Sequence, residues 1–316
     1  SSLRQAIALK PDHAKAHNNL GTMLQELGKL EEAEASLRQA TALKPDLAEA
    51  HSNLGVTLKE LGRLDESEAS YRRAIALKPD YAEAHGNLGV TLKELGRLDE
   101  AIPSYARAIT LKADYSSAYG NLGLALKKLR FQKENQNLYP ILINLLTGKN
   151  FVRPADVAGA ILSLLRLDNL IEDALLNTTA VTDIKEVDRA IKALAQVPLL
   201  HQLMRICPLP DLQLEALFVS IRRVLLINRG KVETSPEHTY FLSTLSLQCF
   251  TNEYVYFETE DETELVSDLA ISIADSIARA SQPTLSEVLC LATYRPLHQY
   301  DWCGNLAVLD QIPELK

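Results

Sequence analysis

The stretch AHSNLGVTLKELGRLDE runs from Ala50 to Glu66, and AHGNLGVTLKELGRLDE runs from Ala84 to Glu100. The copies differ only at Ser52 and Gly86 and begin 34 residues apart. The same core recurs as NNLG at Asn18 and GNLG at Gly120, so the period extends over four units. Later landmarks keep the register: Ala33, Ser67 and Ala101 align, as do Leu37, Tyr71 and Tyr105. LKPD closes three units, at Pro11, Pro45 and Pro79, and Ala113 takes the proline's place in the next. A fixed period of this length marks one supersecondary unit stacked on copies of itself.

Within each unit alanines and leucines fall at i, i+3, i+4 spacing, the pattern of a helix with one buried face. The second unit predicts helix A over Ala48–Leu61, a turn at Gly62-Arg63, helix B over Leu64–Leu77, then Lys-Pro-Asp. Glycine suits the helix end because it adopts positive φ cheaply. Proline suits the connection because it cannot continue helix B. At the start, SLRQAIALKPD from Ser2 aligns with SLRQATALKPD from Ser36, so the chain is expected to enter inside a helix B without its helix A. On that reading the array is a piece of a longer one. The uncovered apolar face of a terminal half-repeat offers a surface for self-association, a possible homo-oligomer.

Period and landmarks together resemble the tetratricopeptide repeat, over roughly residues 1–130. The resemblance implies an all-α chain, a helix-turn-helix solenoid followed by an irregular α-helical domain. The expected boundaries are 1–132 for an N-terminal half-repeat, about three full units and a capping helix, and 133–316 for the helical domain. In such a solenoid helix A lines a concave groove.

Asn19, Asn53, Asn87 and Asn121 precede the Leu-Gly pair in every unit. Asparagine is a poor helix former, about 0.7 kcal/mol worse than alanine, so its repetition calls for a reason. The row resembles the repeats of O-linked N-acetylglucosamine transferases, where asparagines at this place hold the backbone of an extended polypeptide. A primary amide has one acceptor and two donors and can pair with a peptide bond. The other reading is structural, each amide bonding the neighbouring helix. Further groove candidates are Thr22, Val56 and Val90, the lysines Lys59, Lys93 and Lys127, and the acids Glu60 and Glu94. Their mixed charge sets no strong demand for an acidic or basic ligand. His17, His51 and His85, with Tyr119 fourth, occupy the family's aromatic slot and read as packing residues, since helices about 10 Å apart cannot share a metal.

After about Lys133 the period disappears, yet amphipathic helices continue from Arg153, Asp183, Pro210, Ser235, Asp261 and Thr284. Glycine-rich nucleotide loops, HExxH and GxSxG are missing from the sequence, so no catalysis, metal or cofactor is assigned to this fragment. The acidic run Glu258, Glu260, Asp261, Glu262 and Glu264 lacks calcium-loop spacing and reads as a solvated helix start. Asn252, Glu253, Tyr254 and Tyr256 read as a helix–helix contact.

LSLQCFTNEYVYFETEDE with LCLATYRPLHQYDW resembles a helical segment of bacterial proteins in which tetratricopeptide repeats precede a class I S-adenosylmethionine-dependent methyltransferase domain. That implies a role beside an enzyme lying past Lys316. Net charge of −8 and a pI near 5.5 argue against nucleic acid or an anionic membrane as partner. Apolar runs stay shorter than a membrane span. The four cysteines form no CxxC pair and suit a reducing, cytoplasmic compartment. The expected function is protein or peptide binding in the groove; self-association with purely structural asparagines is the alternative.

Overall fold

The computed structural model describes residues 7, 9–148, 152–176, 183–229, 235–253, 256 and 258–311. It contains two compact units, Ser1–Leu129 and Arg130–Lys316. Among the described residues every regular element is helical. The half-repeat expected before Lys10 lies almost wholly outside them.

The first unit alternates A and B helices: α1 (Ala14–Glu26), α2 (Leu30–Leu43), α3 (Ala48–Glu60), α4 (Leu64–Leu77), α5 (Ala82–Glu94), α6 (Leu98–Leu111) and α7 (Ser116–Leu126). Each full pair is held by a notch. A Cβ added to Gly55 of α3 would stand 2.8 Å from the Tyr71 ring of α4, and one on Gly89 of α5 would stand 2.6 Å from Tyr105 of α6. Gly21 of α1 receives Leu37 of α2 in the same way. The rings are fully buried, so the backbone of helix A forms the wall of their socket. The A-to-B turn is equally local: Gly62 has φ of 76°, a conformation that L side chains rarely adopt.

The histidine slot also has a packing role. The Nε2 atoms of His17, His51 and His85 lie 3.0, 3.0 and 3.1 Å from the carbonyls of Pro11, Pro45 and Pro79. Each imidazole N–H thus ties helix A to the bend before it. Burial holds His85 below its ordinary pKa, which suits a neutral ring. Proline and histidine change together in the fourth unit, to Ala113 and Tyr119.

Consecutive A helices pack on one another, α1 with α3, α3 with α5 and α5 with α7, more closely than consecutive B helices do. A stack closer on one side curves toward that side, so the A helices line the inner face. On the B side, charge joins the repeats. Glu34 accepts from Arg38 at 2.7 Å and Arg63 at 2.8 Å, while Glu66 accepts from the same arginines at 2.9 and 2.6 Å. Glu68, Arg72, Arg97 and Glu100 repeat that box one period later. Ile102 and Ala106 end the series by replacing its next glutamate and arginine.

The second unit comprises α8 (Tyr139–Thr147), α9 (Pro154–Leu165), α10 (Asn169–Leu176), α11 (Ile184–Leu194), α12 (Pro198–Ile206), α13 (Leu212–Ile227), α14 (Pro236–Thr251), α15 (Glu260–Ala278) and α16 (Leu285–Ala292). The first helix of this unit begins at Tyr139, after a 3-10 turn at Gln136–Leu138. The polar run before it packs no apolar face, and the Phe131 amide instead donates to Ser163 at 2.9 Å. Helix starts are capped by Asp183, Asp211, Ser235, Thr259 and Thr284. His201 on α12 is buried, its Nε2–H donating to the Leu194 carbonyl at 3.1 Å and Nδ1 lying 2.9 Å from Thr244 Oγ1.

Two outcomes follow. Gly55→Ala forces its methyl against Tyr71 and costs about 1–3 kcal/mol, read as a lower melting temperature. Burial pushes His201 from 6.5 down to about 4. Between these values the unfolded chain takes up a proton that the folded chain refuses. Its contribution is therefore complete above pH 6.5 and lost as pH falls toward about 4. Urea unfolding at pH 7 and pH 4.5 reads this loss, and His201→Gln flattens it.

Candidate functional site

The helix A face carries the asparagine row. Asn53, Asn87 and Asn121 are half-buried, and Asn19 is exposed. Val56, Val90, Lys59, Lys93 and Thr22 are half-buried on the same helices, while Lys127, Glu60 and Glu94 are exposed. Helical spacing places Asn53, Val56 and Glu60 within one stripe of α3, one turn apart, and the period repeats the stripe on α5.

The four asparagines stand in different surroundings. Asn53 Nδ2 donates to Asn18 Oδ1 at 3.0 Å and to Thr22 Oγ1 at 3.1 Å, both on the preceding helix A. Thr22 passes its own proton to the Asn18 carbonyl at 3.2 Å, and Asn18 Nδ2 donates to Asn19 Oδ1 at 3.4 Å. The first rung is thus a closed network. Asn121 accepts from Lys93 Nζ at 3.0 Å, and Gln25 donates to Glu60 at 2.9 Å. The Asn87 side chain makes no hydrogen bond among the described residues; only its carbonyl is used, by Thr91.

Sequence explains the difference once the neighbours are known. The places of Asn18 and Thr22 are taken by Ser52 and Val56 beside Asn87, and by Gly86 and Val90 beside Asn121. Valine and glycine side chains offer no acceptor, and the buried Ser52 hydroxyl, which has one, makes no hydrogen bond to Asn87. Asn18, absent from the sequence-derived candidates, decides the state of Asn53; the signal was its departure from the repeat.

Residues 46–114, 21–62 and 2–35 match tetratricopeptide-repeat family models. Over these residues the N-terminal unit is a tetratricopeptide-repeat solenoid. One similar solved structure is that of MamA, 28% identical over 40% of this chain and 73% of that one, with a TM-score of 0.38. An O-GlcNAc transferase mutant from Thermobaculum terrenum is 27% identical over 42% of this chain and 25% of that one, at 0.37. YrrB, a tetratricopeptide protein with an unusual peptide-binding site, is 18% identical over 63% and 95%, at 0.43. No curated protein matches the chain.

The second unit joins the two segments singled out in sequence. The Arg222 guanidinium of α13 lies 4.0 Å from the Tyr294 ring centroid and 5.3 Å from that of Tyr256. Tyr294 donates to Glu262 Oε1 at 3.0 Å, and Arg295 grips Glu258 at 2.7 and 2.8 Å. The acidic run opens α15 as expected, with Glu260, Asp261 and Glu264 exposed, but Glu262 is buried. It also closes the capping box with Thr259. Tyr254 lies outside the described residues. Sequence reasoning missed Arg222, although it falls on the buried stripe of Leu214, Phe218 and Leu225. Among the described residues no group of His, Cys, Asp and Glu is arranged to hold a metal. No described helix is long and apolar enough to cross a membrane.

The unequal rungs separate in stability. Asn53→Ala removes two bonds and costs about 1–2 kcal/mol, whereas Asn87→Ala loses no side-chain bond and raises stability by up to about 0.7 kcal/mol through helix propensity, read by chemical denaturation.

Proposed function

We propose that the inner face of the tetratricopeptide unit binds an extended polypeptide, with the asparagine row as its main-chain contact. The observation that carries this reading is the row itself: half-buried amides recurring on consecutive packed helices, one of them without an internal partner. Main-chain recognition gives affinity with little demand on sequence, and flanking side chains supply selectivity. Asn19, Lys127 and Thr22 border the same face. The structural reading of the asparagines holds best for Asn53, whose amide protons are both engaged.

In the same proposal residues 1–132 and 133–316 act as two domains of a cytoplasmic bacterial protein. The second connects the groove to a methyltransferase domain and helps present its substrate. The support is the resemblance of the segments around Cys249 and Tyr294, which pack together about Arg222. Self-association through a terminal repeat is the competing role for the first unit.

The test is selection of dodecapeptides displayed on phage against the whole chain, followed by binding titrations. Val56→Arg and Val90→Arg, which obstruct the inner face, are expected to weaken the selected peptide about tenfold or more, while Arg72→Ala on the outer face leaves it unchanged. A peptide indifferent to the valine changes, or a mass that rises with concentration and no peptide selected, overturns the reading in favour of self-association.

A further inference from the structure

The segments singled out in the second half of the sequence converge on one side chain of α13. Arg222 is 3% exposed. Its Nε and Nη1 atoms are buried without a hydrogen-bond partner, and the guanidinium joins no ion pair among the described residues. The rings of Tyr294 and Tyr256, centred 4.0 and 5.3 Å away, answer its charge, but a π face is not the oxygen lone pair that an N–H bond ordinarily takes. The Tyr294 hydroxyl is already spent on Glu262. Phe218 and Leu225, one turn to either side of Arg222, are buried on the same stripe.

The guanidinium lacks an acceptor rather than a counter-charge. Glu258 is taken by Arg295 at 2.7 and 2.8 Å. Glu262 accepts from Tyr294 at 3.0 Å and from the Thr259 amide and hydroxyl at 2.8 and 2.9 Å. Arg222 and Arg295 against Glu258 and Glu262 already cancel in formal charge, so a further anion would meet two carboxylates. Burial pushes the nearby thiols of Cys249 and Cys290 up to about 12, so they stay protonated at neutral pH and supply no negative charge. Arginine donates and never accepts. A ligand group bringing its own N–H or O–H would set hydrogen against hydrogen, whereas a ketone, ester or tertiary amide carbonyl only accepts.

We propose that Arg222 is the recognition residue of a small-molecule site in the second unit, which takes a neutral, acceptor-only carbonyl compound with an apolar body. The carbonyl oxygen accepts from the guanidinium, a charge-assisted bond stronger than one between neutral groups. The apolar body packs against the tyrosine rings and the Phe218–Leu225 stripe. The site is independent of the inner face of the first unit and of any peptide bound there.

Three probes share one apolar ring and differ in the head group: cyclohexanone, cyclohexanecarboxylate and cyclohexylammonium. Saturation-transfer NMR with the whole chain reads binding, and thermal melting reads stability. Cyclohexanone is expected to bind saturably, in the millimolar range of so small a ligand, and to raise the melting temperature. The carboxylate and the ammonium are expected to bind at least about tenfold more weakly. Arg222→Met keeps the volume, removes every donor, and is expected to melt no lower than the unliganded parent. Its cyclohexanone affinity should fall about tenfold or more, the loss of one hydrogen bond to a charged group. Arg222→Lys, which keeps the charge without the planar fork, is expected to bind several-fold more weakly and carries the test if Arg222→Met does not fold. Cyclohexanone binding equal in the parent and in Arg222→Met, a tighter carboxylate, or no saturable binding of any probe overturns the inference.

Discussion

The first unit depends on the absence of one atom. At Gly55 and Gly89 helix A has no Cβ, and a tyrosine ring of helix B fills the space down to the backbone. Interiors are packed too densely to absorb an added methyl there without displacement. This contact sets how closely each pair of helices approaches, and the pair is the element that the period multiplies. The inner face follows from it. Where consecutive A helices pack, inner-face residues of one stand beside those of the next, as Asn53 does beside Asn18 and Thr22 and Asn121 beside Lys93. A row of asparagines separated by 34 residues in sequence then becomes a row in space.

The faces of the solenoid differ in how they join one repeat to the next. The B side uses boxes of two arginines and two glutamates, built twice with nearly the same distances. Exposed pairs of this kind contribute little individually, and their value lies in orienting successive B helices. The A side uses neutral amides and hydroxyls at the first rung and a lysine at the last. Polar groups that are half-buried and already paired rigidify the surface. Those left open keep donors and acceptors for another molecule.

The second unit has no period, and its organising contact is of another kind. Arg222 stands buried over the rings of Tyr256 and Tyr294, while Tyr294 also bonds the buried Glu262. A desolvated cation over an aromatic ring is worth roughly 2 kcal/mol. Here it joins α13 to the segment before α15 and to the turn after α16. Sequence alone showed the aromatic and acidic residues as two separate clusters, because neither is close in number to the arginine that unites them.

What sequence determined by itself was everything that repeats or is local. The helix B limits at Leu64 and Leu77, the turn at Gly62 and the helix starts at Asp183, Ser235 and Thr284 were legible, because capping and turn geometry involve residues within one helical turn. The asparagine row was legible as a row. Which of its members is engaged was not, since hydrogen-bond partners lie on the neighbouring helix A, and near-identical units hide the few positions where those neighbours differ. Tertiary structure alone decided that Asn53 meets Asn18 and Thr22, that Lys93 meets Asn121, and that Asn87 meets neither kind of partner. A hydrogen bond forms only where both groups arrive within about 3 Å, and that proximity is a property of the packed stack, not of the repeat read one unit at a time.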